Sequence, residues 1–461
     1  MGRGLRIGHS AAAPAWVNNL VTRQWVKLGN GLQSIEPKDD PLINPLYPGE
    51  PPWKGSNLYI DGIFAYSGGA MDPDGTTFYQ WGGGHGDSGN NGVYALDLHT
   101  SSPTWRAERN PAGSIGNWDG EDLLLFDGLD SVQDTYYNGE PRSAHTYNGV
   151  CVAAGKIYVT QGYKAGLGGV NGQTLFAYNL TSRAWETKAT MIGGGAISRD
   201  LAYDSLRDRI CAIGGGNGAI TFYDIATNAW SQTTSFTNTS NGARMIYIPT
   251  IDVLVGLNGG IASSSGFFAH DFGRTTLSGG NEVRPTATGT NPLTTTNGTW
   301  VATTAYTVGQ TVYPHASMSS GTGKVLRCTT AGTTGSSNTL TVSAIGATLS
   351  DGTVTWTVDP TPDLRNGVWV PSLGKIVGWS YGEDLWTLTP PVSGDINDDW
   401  AWGSLAADAG NTVTPMGIPG AQDASVFGRL FLATFGDIDV IGLSTLENSG
   451  NSEIKPYFFR L

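Results

Sequence analysis

The feature that most constrains this chain is a seven-residue pattern that recurs three times with unchanged spacing. Asn19-Leu20-Val21-Thr22-Arg23-Gln24-Trp25, Asn179-Leu180-Thr181-Ser182-Arg183-Ala184-Trp185 and Asp224-Ile225-Ala226-Thr227-Asn228-Ala229-Trp230 each begin on a short amide or carboxylate and end on tryptophan. Asp97-Leu98-His99-Thr100 followed by Trp105 is a fourth copy with two residues inserted. A short Asn or Asp side chain bonds the backbone of a turn, and the tryptophan gives the return strand apolar area, so the pattern reads as a β-hairpin. Before each internal copy stands an apolar run closing on glycine and then a second aromatic strand. Examples are Arg209-Ile210-Cys211-Ala212-Ile213-Gly214 ahead of Phe222-Tyr223, and Lys156-Ile157-Tyr158-Val159-Thr160-Gln161-Gly162 ahead of Leu175-Phe176-Ala177-Tyr178. Each unit therefore reads as four short antiparallel strands.

Glycine supplies the punctuation. It accounts for 66 of 461 residues, roughly twice the ordinary usage of about 7%. The glycines cluster as doublets and triplets and not at every third position, which excludes collagen. Gly83-Gly84, Gly214-Gly215 and Gly259-Gly260 are expected to end second strands, where a chain turning close to its neighbours has no room for a side chain. Charged residues make up only 14% of the chain against 10% aromatics, a composition foreign to coiled coils and disordered segments.

Units fall at about 62–105, 143–185, 197–230, 242–275, 364–402 and 420–460, the last three degenerate. Tandem four-stranded units bury their faces against one another, and a ring of them leaves few open edges, so the expected class is an all-β propeller. The order of apolar strand, glycines, tyrosine and then tryptophan resembles the Kelch repeat. The hairpin read at 15–28 precedes any whole unit, so N- and C-terminal strands are expected to share a blade, leaving the count at six or seven.

Between 284 and 362 the repeat stops and threonine, serine and glycine dominate, so the chain divides into a propeller of residues 1–283 and 363–461 and an inserted small β-domain. Thr353 to Val358 alternates as a half-buried strand, with Asp351-Gly352 as a turn signal. The string Trp300, Tyr306, Gly309, Val312, Leu326-Arg327-Cys328, Ala331 to Gly335 and Asp351 to Trp356 resembles a small module of tail-associated phage proteins. Its layout is similar to the chitin- and cellulose-binding modules of glycosidases. That resemblance makes Trp300, Tyr306, Tyr313 and Trp356 candidates for stacking on sugar; the competing reading places them in the core of a small domain.

The net charge of -13 and the lack of any basic run exclude a nucleic-acid interface. Three cysteines at Cys151, Cys211 and Cys328, none in a metal or redox spacing, read as buried thiols. No signal peptide and no membrane-spanning segment is recognisable, so synthesis in a cytoplasm without membrane insertion is expected. Asp87, Asn90 and Asn91 follow a glycine-rich stretch and are candidates for a structural calcium ion, with a plain structural loop as the alternative; no other cofactor is expected. Arg142, His145, Arg199 and Arg244 stand at or before the starts of consecutive units, where a blade's first strand lines the central channel. Acidic pairs such as Glu121 with Asp122, or Asp395 with Asp398 and Asp399, read as solvated loops, and no catalytic constellation emerges.

The Kelch and tail-module resemblances together imply a non-enzymatic virion protein of a tailed bacteriophage, on the tail, a fibre or the head surface. It would assemble with other virion proteins as a symmetric homo-oligomer and touch host-surface polysaccharide through the insert. The alternative is a secreted carbohydrate-active Kelch enzyme of galactose-oxidase or glycosidase type. Against it, no cysteine occupies the loop a copper-tyrosine site needs, and no sialidase aspartate box has the right spacing.

Overall fold

The computed structural model describes residues 13–35, 67–82, 90–111, 135, 139–161, 172, 174–192, 200–213, 220–232, 244–257, 266–273, 282–283, 285–292, 297–321, 323–415, 428–448 and 451–461. A short helix, α1 (Ala15–Asn18), leads into β1 (Trp25–Lys27) and a 3-10 turn (Leu32–Ile35). Sheet 1 is β2 (Gly69–Met71), β3 (Thr77–Trp81), β4 (Val93–Asp97) and β5 (Thr104–Arg109). Sheet 2 is β6 (Val150–Ala153), β7 (Lys156–Thr160), β8 (Thr174–Asn179) and β9 (Ala184–Thr190). Sheet 3 is β10 (Asp200–Asp204), β11 (Arg209–Ile213), β12 (Thr221–Asp224) and β13 (Ala229–Gln232). Sheet 4 is β14 (Arg244–Ile248), β15 (Val253–Leu257), β16 (Phe267–Asp271) and β17 (Glu282–Val283).

Next comes β18 (Ala287–Thr288), and then the insert: β19 (Ala305–Tyr306), β20 (Thr311–Val312), β21 (Lys324–Thr330), β22 (Gly332–Thr333), β23 (Thr348–Asp351) and β24 (Val354–Pro360). Sheet 5 is β25 (Gly367–Val370), β26 (Lys375–Gly378), β27 (Leu385–Thr389) and β28 (Trp400–Leu405), with β18 added in parallel beside β28. The last three strands are β29 (Leu430–Phe435), β30 (Ile438–Asn448) and β31 (Asn451–Arg460); β1 pairs antiparallel with β31 and completes sheet 6. Within sheets 1 to 6 the strands follow chain order and pair antiparallel, apart from β1, which joins β31 antiparallel out of chain order, and β18, which joins β28 in parallel; the insert's main sheet has the order β20-β21-β24-β23. No helix among the described residues is long and apolar enough to cross a membrane.

The repeated turn has one mechanism. In sheet 2 the Asn179 carboxamide accepts the N–H groups of Thr181 (2.9 Å) and Ser182 (3.1 Å), while Arg183 N–H returns to the Asn179 carbonyl at 2.8 Å. In sheet 3 Asp224 accepts the N–H and the hydroxyl of Thr227, both at 2.7 Å. The last turn residue takes left-handed backbone, φ 55° at Arg183 and 53° at Asn228. Register then sets Tyr178 opposite Trp185 and Tyr223 opposite Trp230, each with ring centroids 5.3 Å apart.

The N-terminal copy is not the hairpin expected at 15–28. Residues 15–18 are helical, and Trp25 pairs with Phe459 at the far end of the chain. Arg23, at φ 60°, sends its N–H to the Arg460 carbonyl at 2.8 Å, as Arg183 does to Asn179. The two chain ends thus rebuild the repeat's turn without a covalent link, and among the described residues six sheets lie outside the insert.

First strands lie side by side in a cyclic order: β2 against β6, β6 against β10, β10 against β14, β14 against β25, β25 against β29, and β29 against β2. An apolar cluster fills each junction between consecutive sheets, from Trp81 with Val159 between sheets 1 and 2 to Phe78 with Phe431 between sheets 6 and 1. At Gly256, Gly378 and Gly442 the ring of a cross-strand partner (Phe268, Trp386, Phe431) lies where a Cβ would be, closer than 2.2 Å. The doublets Gly83-Gly84, Gly214-Gly215 and Gly259-Gly260 lie outside the described residues.

The insert has its own core, and its boundary moves. Ala287 and Thr288, assigned to it from composition, belong to sheet 5. Trp300 (2% exposed), Tyr306 (3%) and Trp356 (0%) pack together in its centre, so these rings cannot stack on an external sugar. Tyr313 alone of the four is half-buried. The tie is Asp351, 3% exposed, whose carboxylate accepts both indole N–H groups, Trp300 at 2.6 Å and Trp356 at 3.3 Å, and the Gly335 N–H at 2.8 Å. All three cysteines are free and buried.

Three outcomes are expected. Trp25→Ala removes an indole bonded to the Glu383 carbonyl at 2.8 Å and packed 5.1 Å from Phe459, and should lower stability in denaturant unfolding by about 3–5 kcal/mol. Asp351→Ala strands two buried indole donors at a cost of about 1–3 kcal/mol each, and should unfold the insert ahead of the six sheets in calorimetry. His270, between sheets 3 and 4, has neither ring nitrogen partnered among the described residues. Burial, opposed by Asp271 and reinforced by Arg209, pushes its pKa from the usual 6.5 down to about 4. A depressed histidine contributes stability that is full above 6.5 and lost as pH falls toward 4. The loss should approach roughly 3 kcal/mol, and His270→Phe should flatten that part of the pH–stability curve.

Candidate functional site

Two constructions occupy the region where the first strands meet. The first is a belt of polar residues at or just before the first-strand starts. Gly68 N–H donates to Thr146 Oγ1 (3.2 Å), joining sheets 1 and 2, and Asn148 N–H donates to Asp200 Oδ1 (3.2 Å), joining 2 and 3. Arg244 Nε donates to the Gly367 carbonyl (3.1 Å), joining 4 and 5, and Asn366 Oδ1 accepts the Arg429 N–H (2.9 Å), joining 5 and 6. The Arg429 guanidinium then donates to the Ser67 carbonyl from Nε (3.1 Å) and Nη2 (2.6 Å), returning to sheet 1. Ser67, Asn148, Asp200, Asn366 and Arg429 are all at most 1% exposed. Burial pushes the Arg429 pKa well down, and its bonds to Ser67 are to a carbonyl oxygen rather than a carboxylate.

The second is a cavity of about 820 Å³ walled by first strands of all six sheets, among them Ala70, Cys151, Ala202, Arg244, Val368 and Leu432. Each first strand ends its sheet's ladder, so one edge of its peptide groups has no neighbouring strand. Among the described lining residues Arg244 is the one arginine or lysine, with His99 the other basic side chain. Arg244 is half-buried, its pKa lowered by burial against the pull of Cys151 and Asp200, and beyond its bond to Gly367 it makes no hydrogen bond or ion pair among the described residues. Burial also pushes the Cys151 thiol up to about 12, against the pull of Arg244, which disfavours the thiolate. Asp72 and Asp74 line the cavity from the turn after β2; burial raises the pKa of Asp72, opposed by bonds from Thr76.

Of the residues expected in the channel, Arg244 lies on the cavity wall. Arg142 (5% exposed) and His145 (9%) do not; they are buried at the entry to sheet 2, where Gln161 Nε2 donates to the Arg142 carbonyl at 2.8 Å. They precede β6 by several residues, and a strand start cannot carry them to the wall. Arg199 and Asp87 lie outside the described residues. The amides of Asn90 and Asn91 are engaged in holding the protein together. Asn90 exchanges bonds with the Tyr94 hydroxyl and caps Gly92, and Asn91 donates to Glu140 and to the Pro141 carbonyl. Among the described residues no three His, Cys, Asp or Glu side chains gather as a metal site. Asp395 and Asp398 accept bonds within their own turn, and Asp399 accepts one from Thr286; Glu121 and Asp122 lie outside the described residues.

Sequence reasoning missed Ser67, Asn148, Asn366 and Arg429. A signal was present in three of them: Ser67-Gly68, Asn148-Gly149 and Asn366-Gly367 each set a small polar residue and a glycine before an apolar first strand. No family model matches this chain, and no curated protein matches it.

Proposed function

We propose that the six sheets are the blades of a six-bladed Kelch-like β-propeller, and that the protein is a non-enzymatic structural component of a bacteriophage virion, on the tail, a fibre or the head surface. The cyclic order of first strands and the shared sixth sheet support the propeller. The observation that carries the scaffold role is the polar belt. Thr146, Asp200, Asn366 and Arg429 form bonds from one sheet to the next where a propeller enzyme would turn such groups toward substrate. The insert adds a module with a separate core, and its exterior is left for other virion proteins or for further copies of the chain.

Mass spectrometry of gradient-purified particles from lysates of the source is the test. The chain should be present in fixed stoichiometry to the major capsid protein. Its absence from particles, or release of reducing sugar from polysaccharide by the purified chain, overturns the proposal.

A further inference from the structure

The cavity, and the two terminal nitrogens of Arg244 on its wall, have no part in the scaffold role; only Nε of that guanidinium belongs to the belt. Three observations converge there. The volume of about 820 Å³ falls in the range of about 300–1,000 Å³ typical of small-molecule sites. Arg244 commits only Nε, to the Gly367 carbonyl at 3.1 Å, and its Nη1 and Nη2 have no hydrogen-bond partner among the described residues. The wall also presents the ladder-free edge of each of six first strands, of which the Gly69 and Leu201 N–H groups are already bonded, to the Gly428 and Asn148 carbonyls.

These features select a ligand chemistry. A guanidinium with two open nitrogens is matched by the two oxygens of a carboxylate or phosphate. Asp72 and Asp74 on the same wall add negative charge, which opposes a doubly charged phosphate more strongly than a singly charged carboxylate and so favours the latter. Open N–H and C=O groups around the lumen provide donors and acceptors for hydroxyls, which a purely apolar acid would leave unsatisfied. We propose that this cavity is a binding site for a small hydroxylated monocarboxylate of the sugar-acid class, with Arg244 holding the carboxylate and first-strand peptide edges holding the hydroxyls. The site is independent of whether the protein resides in a virion.

Isothermal titration of the full chain with glucuronate, galacturonate and gluconate, with glucose as the neutral counterpart, is the test. At least one acid should bind saturably, and glucose at least about ten-fold more weakly, as expected for loss of a charged pair. Arg244→Met should abolish the binding and Arg244→Lys should retain part of it. A measurement on the unmodified chain guards against a variant that fails to fold: phenylglyoxal modification at Arg244, read by peptide mass spectrometry, should be slowed by the bound acid and not by glucose. No saturable binding of any of the three acids, binding that survives Arg244→Met in a folded variant, or modification unaffected by the acid overturns the proposal.

Discussion

A four-stranded sheet that is apolar on both faces has to be covered twice, and the rest of this structure follows from that requirement. Along β4, Tyr94 enters the cluster shared with sheet 6 while Ala95 enters the cluster shared with sheet 2. The same holds along β11, where Ile210 and Ala212 face sheet 2 and Cys211 and Ile213 face sheet 4. A strand buried on both sides reads as an unbroken apolar run instead of an alternation. With every sheet needing two neighbours, cyclic order is the arrangement in which none is left uncovered. Close approach between cross-strand partners is set by the glycine–aromatic pairs, where Phe268, Trp386 and Phe431 fill the space beside Gly256, Gly378 and Gly442.

The last sheet poses a special problem, because three strands leave β31 as an open edge. The N-terminal strand answers it with the backbone geometry used inside the chain. Arg460 stands where Asn179 stands, Arg23 where Arg183 stands, and both N–H to carbonyl bonds measure 2.8 Å. Protection of edges continues outward. Asn411 accepts the Trp25 N–H at 2.9 Å, Asn30 accepts the Trp105 N–H at 2.7 Å, β18 covers β28, and Asn228 with Trp230 engages Ala189 at 3.1 and 2.9 Å. Unpaired strand edges invite association with other chains, and these contacts close them by local means.

The turns were legible because their chemistry is local: an Asn or Asp to accept backbone N–H groups, a residue that tolerates left-handed backbone, and a tryptophan for the return strand. The N-terminal copy misled for the same reason. Pattern encodes the turn and the return strand, and does not say which strand the tryptophan pairs with. The aromatics of the insert were ambiguous because exposure is a property of the whole module; Trp300 and Trp356 are recognisable as core once Asp351 is seen between their indoles. The belt was largely invisible because its bonds join residues far apart in the chain, 362 positions in the case of Arg429 and Ser67.

Two arginines show how the neighbouring first strands serve both cohesion and the cavity between them. Arg429 is fully buried, directed across the junction to the Ser67 carbonyl, and acts as a fastener between sheets 6 and 1. Arg244 begins β14 yet keeps its terminal nitrogens uncommitted. Gly428 accounts for the space it uses: a Cβ there would stand 2.8 Å from Arg244 Nη1 and 2.8 Å from Asn148 Oδ1. Its φ of 56° also disfavours any side chain. A larger residue at 428 would press the guanidinium off its position and strain the Gly69 N–H bond to the Gly428 carbonyl, now 3.3 Å. The glycine that lets β29 approach β2 is thus the same one that leaves room for a cation on the cavity wall, so the packing of sheet 6 against sheet 1 and the accessibility of Arg244 are set at one position.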